Sequence, residues 1–132
     1  MTRVDSELTV LIVDDNEDDL ELMIRALKPD GYRVFTARSA QAAFDLLNLH
    51  KIGIVISDQS MPGMDGVRFL TSVRKLYPEA VRIVASGSSN VASVADAVNE
   101  AGIHKFLSKS LEAARLSAEI REAYLRNRGT SE

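Results

Sequence analysis

Several reactive side chains in this 132-residue chain stand at the ends of short apolar runs. Asp14 and Asp15 follow Leu11-Ile12-Val13, with Asp18 and Asp19 close behind. Asp58 follows Ile54-Val55-Ile56-Ser57, Ser86 follows Val84-Ala85, and Lys109 follows Phe106-Leu107-Ser108. Laid side by side, these runs bring at least three carboxylates, one hydroxyl and one ammonium into a shared crevice. Crowded carboxylates repel, so some must protonate or a cation must join them. Hard oxygen ligands, few in number, suit Mg²⁺, which keeps several waters and accepts a phosphate oxygen. With Mg²⁺ and Lys109 present, the charge of a phosphate dianion is balanced. Phosphoryl transfer needs positioning and charge neutralisation more than covalent machinery. A carboxylate can be the attacking nucleophile. A coherent set is therefore Asp58 as phosphoacceptor, Asp14 and Asp15 as metal site, and Ser86 and Lys109 as phosphoryl ligands.

Each residue alone has a plainer use. Acids ahead of a helix cap it or favour its dipole. An Asp before a loop is often a turn residue, a strand-end Ser often satisfies backbone, and a surface Lys is often just solvated. Their recurrence at successive strand ends is what favours chemistry.

The elements that must position them alternate five times. Residues 8–13 are nearly continuous apolar, as in a strand buried on both faces of a parallel sheet. Leu20, Met23, Ile24 and Leu27 then recur on one helical face, and Pro29 with Gly31 stops it. A second strand is expected over residues 32–36. Ser39 caps a helix with Ala40, Ala43, Phe44 and Leu47 on its apolar face. A third strand is expected over 52–56, followed by a Pro/Gly loop at residues 61–66 and a helix carrying Leu70, Val73 and Tyr77. Strand four is expected over 81–85, and a fourth helix presents Val91, Val94, Ala95 and Val98. Strand five is expected over 103–107 and a last helix over 111–127. Five such units argue for an open α/β sheet with helices on both faces. Right-handed crossovers leave the flavodoxin-like, doubly wound (βα)5 arrangement, a five-stranded parallel sheet in the order 2-1-3-4-5. Ligands then lie beyond the carboxyl ends of strands one and three.

Composition narrows the classes. The length suits one domain, residues 1–132, with its core at about 8–126 and a polar tail at 127–132. There is no cysteine, hence no disulfide or thiolate site. The net charge of −3, from 16 basic and 19 acidic residues, gives no footprint for direct nucleic-acid binding. No apolar run is long enough for a membrane span, and residues 1–5 lack a secretory h-region. A cytoplasmic protein is expected. His50 and His104 lack ligand spacing to another His, so no zinc site is expected.

The segments Leu11-Ile12-Val13-Asp14-Asp15, Ser57-Asp58-Gln59-Ser60-Met61-Pro62-Gly63-Met64-Asp65-Gly66, Ser86-Gly87 and Phe106-Leu107-Ser108-Lys109 resemble the receiver domain of two-component response regulators. The match runs from about residue 8 to residue 126. The resemblance implies that Asp58 takes a phosphoryl group from a phosphohistidine on a sensor histidine kinase or phosphotransfer protein. It implies that Asp15 and Asp58 bind Mg²⁺ directly, Asp14 through water, and that the Ser60 backbone carbonyl completes the protein's ligands. Lys109 stands where the family contacts the phosphoryl group. Ser86 and Phe106 stand at the switch positions, which alter the surface of the fourth helix, fifth strand and last helix. Such a protein catalyses only its own phosphorylation and dephosphorylation and is not otherwise an enzyme. A downstream output domain or protein, and a homodimer through that same surface, are further implied partners.

One position departs from the pattern. Ser110 follows Lys109 where the family usually has Pro, often after a cis peptide. A cis bond before a non-proline costs about 3–4 kcal/mol, so a trans peptide is expected, with Ser110 free to cap the last helix. Ser60 and Ser88, two residues beyond Asp58 and Ser86, are small and polar, so no strong block on self-dephosphorylation is expected. A flavodoxin-like cofactor protein would need a Ser/Thr- and Gly-rich loop where Asp14-Asp15-Asn16-Glu17 stands. A haloacid-dehalogenase-type phosphatase would need Asp where Asn16 stands. A degenerate receiver acting only as a protein-binding module is the remaining alternative, although no active-site residue is missing.

Overall fold

The computed structural model describes residues 8–61, 63–87 and 102–130, with side chains as far as residue 127. Strand β1 (Thr9–Val13) leads into helix α1 (Glu17–Leu27) and a 3-10 turn (Lys28–Asp30). Then come β2 (Arg33–Ala37), α2 (Ala40–Leu49), β3 (Ile54–Asp58), α3 (Gly66–Leu76) and β4 (Val81–Ser86). Strand β5 (Lys105–Ser108) and a C-terminal helix (Ala113–Thr130) close the order. All neighbouring strands pair parallel, in the order β2-β1-β3-β4-β5, as the alternating pattern predicts. The expected helix through Val91, Val94, Ala95 and Val98 lies outside the described residues.

Alternation along the central strands splits the core into two layers. Val10, Ile12, Ile54, Ile56 and Ile83 face α1 and the C-terminal helix, meeting Leu20, Met23, Leu27, Leu116 and Ile120. Leu11, Val13, Val55 and Val84 face α2 and α3, meeting Ala43, Leu47, Phe69, Leu70 and Val73. Apolar surface thus leaves water on both faces of the sheet, which explains the unbroken hydrophobic runs. The helices start where side chains satisfy their first amides. Asn16 accepts from the Asp19 amide, Ser39 from Ala42 and Asp65 from Arg68.

Several boundaries differ from expectation, among them the last helix, which starts at Ala113 rather than at 111. β3 and β5 begin two residues later than the apolar runs at Ile52 and Ile103, and each reaches the polar end of its run. Ile52 and Ile103 are buried all the same, because apolar burial does not require a place in the ladder. The tail expected from residue 127 is helical to Thr130. Polar residues there write no apolar period, and the Glu122–Arg126 pair at 3.2 Å supports the turn that leads into it.

At the amino ends of β4 and β5, a buried Arg82 joins two chain segments. Its Nε donates to the Gly102 carbonyl (3.0 Å), and its Nη1 donates to those of Pro78 (3.2 Å) and Ala80 (2.9 Å). Its backbone N–H donates to Nδ1 of His104 (2.9 Å), so that nitrogen must be unprotonated. Desolvation of the ring and the Arg82 charge hold the His104 pKa below its ordinary value, against a hydrogen bond to Asn127. The folded state therefore binds fewer protons here than the unfolded chain. Stability from this group is present above the unfolded histidine pKa of about 6.5 and is lost as pH falls below it. In urea unfolding, the wild-type midpoint should drop more between pH 7.5 and 5.5 than that of His104→Asn, whose amide oxygen can accept the same bond. Equal slopes would remove His104 as the cause.

Candidate functional site

Register brings the strand ends together. Val13 pairs with Ser57, so Asp14 and Asp58 stand at the same level. Asp58 pairs with Ala85, and Ser86 pairs with Ser108. Lys109 therefore lies about two residues, roughly 7 Å, beyond the level of Asp58. Its backbone N–H continues the ladder to the Ser86 carbonyl (3.0 Å), and its long stem spans the gap back to the acids.

The ammonium of Lys109 ends among three carboxylates. Nζ lies 2.6 Å from Asp14 Oδ2, 2.8 Å from Asp19 Oδ2 and 3.0 Å from Asp58 Oδ1. Asp14 is buried, and its other oxygen accepts the Asn16 N–H at 3.0 Å. Carboxylate oxygens of Asp14, Asp15 and Asp58 all lie within 4.8 Å of one another. Burial raises the Asp58 pKa and the Asp14 charge adds to this, while Lys109 and the Gln59 amide oppose it. Burial alone would lower the Lys109 pKa, but hydrogen bonds to Asp14, Asp19 and Asp58 outweigh it and raise the pKa well above its ordinary value. Asp14, Asp15, Asp19 and Asp58 are four carboxylates against one ammonium, an excess of three negative charges when all are ionised. Such a crevice attracts a small hard cation.

The loop after β3 is pinned onto the Asp58 backbone. The Gly66 amide donates to the Gln59 carbonyl (2.9 Å), and the Gln59 side chain accepts the Val67 N–H (3.2 Å). A Cβ at Gly66 would overlap the Asp58 carbonyl oxygen and come within 3.0 Å of Gln59 Cα. Only glycine allows this approach.

The other expected residues are arranged around this centre. Ser86 is half-buried at the end of β4. Ser60 is exposed, two residues past Asp58. Phe106 pairs with Val84 and is half-buried, packed against the layer that holds α2 and α3. No cis peptide occurs among the described residues, so Lys109–Ser110 is trans as expected. Ser110 does not cap the last helix, which starts three residues later at Ala113. Its hydroxyl instead meets that of Ser108 (2.6 Å), and its amide donates to the same oxygen (3.2 Å), folding a tight turn after Lys109. Asp19 belongs to the centre although the motifs do not assign it. The available signal was an acid on the first turn of the helix that follows Asp14 and Asp15.

Comparison with known proteins identifies the family and the fold. The family model of the response regulator receiver domain matches residues 10–121. The chain is 39% identical over 119 residues to the hydrogenase transcriptional regulatory protein HoxA of Cupriavidus necator, covering 90% of this chain and 24% of that one. It is 33% identical over 123 residues to the two-component response regulator ORR6 of Oryza sativa subsp. japonica, covering 88% of this chain and 72% of the relative. Among solved structures, the signal receiver domain of an HD domain-containing protein from Pseudomonas fluorescens Pf-5 superposes with a TM-score of 0.88 at 30% identity, covering 99% and 96% of the two chains. The chain belongs to the receiver-domain family of two-component response regulators. It spans about a quarter of the length of HoxA. No helix among the described residues is long and apolar enough to cross a membrane.

The Gly66 contact makes a direct prediction. Gly66→Ala should force the loop and the Asp58 peptide apart, lowering stability by about 1–3 kcal/mol in denaturant unfolding. The Asp58 and Gln59 amide resonances should move in the same variant. Unchanged stability and spectra would mean that the approach is not tight.

Proposed function

We propose that Asp58 is the phosphoacceptor of this receiver, with Asp14 and Asp15 as its acidic partners at a Mg²⁺ site and Lys109 as the cation for the phosphoryl group. The observation that carries this reading is the convergence of three carboxylates within 4.8 Å and one ammonium 3.0 Å from Asp58. The donor set fits Mg²⁺: hard oxygens, an excess of negative charge and open sides for water. Asp15 and Asp58 would hold the ion directly, Asp14 through water, and the Ser60 carbonyl would add a ligand. A bound Mg²⁺ supplies charge neutralisation for the transferred group.

The chain's own residues carry the rest. A carboxylate oxygen of Asp58 forms a bond to phosphorus as the donor's bond to phosphorus breaks. With phosphohistidine, a P–N bond breaks and the imidazole nitrogen keeps the electron pair. With acetyl phosphate, a P–O bond breaks and acetate leaves. Lys109 balances charge beside the attacked phosphorus, where low exposure strengthens the interaction. Ser86 donates its hydroxyl to a phosphoryl oxygen, and Phe106 responds by turning toward the vacated space. That repacking shifts the population toward an altered outer surface at β5 and its neighbours. A histidine kinase or phosphotransfer protein is the donor partner, and an output domain or protein, or a second copy of the receiver, reads the surface. Exposed Ser60 offers no bulk against attacking water, while Ser88 lies outside the described residues.

Intact-mass measurement after acetyl phosphate treatment tests the acceptor. Wild type should gain one phosphoryl group only with Mg²⁺, and Asp58→Asn should gain none. No gain in wild type, together with no beryllofluoride binding, would favour a degenerate module that only binds partners. The metal site has its own test. Mg²⁺ at ten times its dissociation constant should stabilise the fold by about 1.4 kcal/mol, a rise of about 3–6 °C in melting temperature. Asp15→Asn should abolish most of that rise. A rise of equal size in the variant would place the ion elsewhere.

A further inference from the structure

We infer that Asp19 is a positioning residue of the phosphoryl site: it holds the Lys109 ammonium at rest, and its grip sets how readily Lys109 turns to an arriving phosphoryl group. The inference rests on the phosphoryl-accepting reading above. An ammonium has three N–H donors and no more. Asp14, Asp19 and Asp58 each take one, at 2.6, 2.8 and 3.0 Å. All three donors of Lys109 are therefore engaged. A phosphoryl oxygen can be contacted only if one carboxylate gives way.

Exposure and bonding decide which one. The Asp14 side chain is 4% exposed and also accepts the Asn16 amide, so losing Lys109 would strand a buried charge. Asp58 carries the phosphoryl group and must stay beside Lys109. Asp19 is 30% exposed on the first turn of α1, where water and the helix amino end can support its charge. Asp19 is the partner that yields. Until it does, it competes with the phosphoryl oxygen for the same donor, and its own charge repels the incoming dianion.

Asp18 provides the control. It sits on the same helical turn with the same charge, but it is exposed and points no bond at Lys109. Asp19→Asn and Asp18→Asn should both fold, since each keeps side-chain shape. With acetyl phosphate and Mg²⁺, the initial rate of mass gain should rise about two- to tenfold in Asp19→Asn, the range of a partly exposed charged hydrogen bond. Asp18→Asn should stay at the wild-type rate. A second readout needs no phosphorylation. In ¹⁵N–¹H spectra of lysine side chains, the Lys109 ammonium signal should be visible in wild type and Asp18→Asn, and broadened away in Asp19→Asn. Equal acceleration by both variants would assign the effect to general charge and overturn the inference. Uptake in all three proteins at one rate would overturn it as well, leaving the receiver chemistry intact. No uptake in any of them would overturn the receiver chemistry and the role of Asp19 together. The ammonium signal would then show whether the contact itself exists.

Discussion

The arrangement depends on one ammonium among four acids. Parallel strands and helix amino ends deliver Asp14, Asp15, Asp19 and Asp58 to one edge, and the Lys109 ammonium sits among three of them and opposes their repulsion. Buried ion clusters are weak sources of net stability, because desolvation offsets most of the attraction. Removing one partner is costly all the same, since the charges left behind stay buried. The site is thus held short of electrostatic satisfaction. Such a shortfall of positive charge is what would attract a small hard cation.

The sheet supplies the precision this balance needs. Asp14 and Asp58 are level because Val13 pairs with Ser57, and both strands lie between two apolar layers. Shifting a central strand by one residue would exchange its two faces and bury the wrong set. The loop after Asp58 cannot drift, because Gly66 packs against the Asp58 peptide and Gln59 holds the Val67 amide. Hydrophobic packing therefore fixes polar geometry: the core decides where the acids meet.

Most of this was legible in the residues, for identifiable reasons. Strands buried on both faces write unbroken apolar runs, so β1, β3 and β4 and their order could be read directly. Acids and a lysine at strand ends are distinctive once topology aligns them. What escaped detection lacks such a pattern. The end of the C-terminal helix is polar in sequence, so it reads as tail although the backbone is helical to Thr130. The role of Ser110 turned on a local choice between capping a helix and pairing with Ser108, and both use the same hydroxyl. Asp19 looks like an ordinary first-turn acid, and only the reach of the Lys109 stem from the far side of the sheet distinguishes it.

The balance of charge differs between the two ends of the sheet. The carboxyl ends of the strands carry the acids, together with the Glu17, Asp18 and Asp19 turn of α1. The opposite end holds Arg82 and, beside Gly102, Arg74, while α3 finishes in Arg74 and Lys75. Among the described residues this separation amounts to a small electric dipole along the strands. In the field of a charged partner it experiences a torque before any contact forms, and at low ionic strength that torque acts over several ångströms of water. Encounter is then oriented, so the acidic edge is turned toward or away from an approaching surface according to that surface's sign.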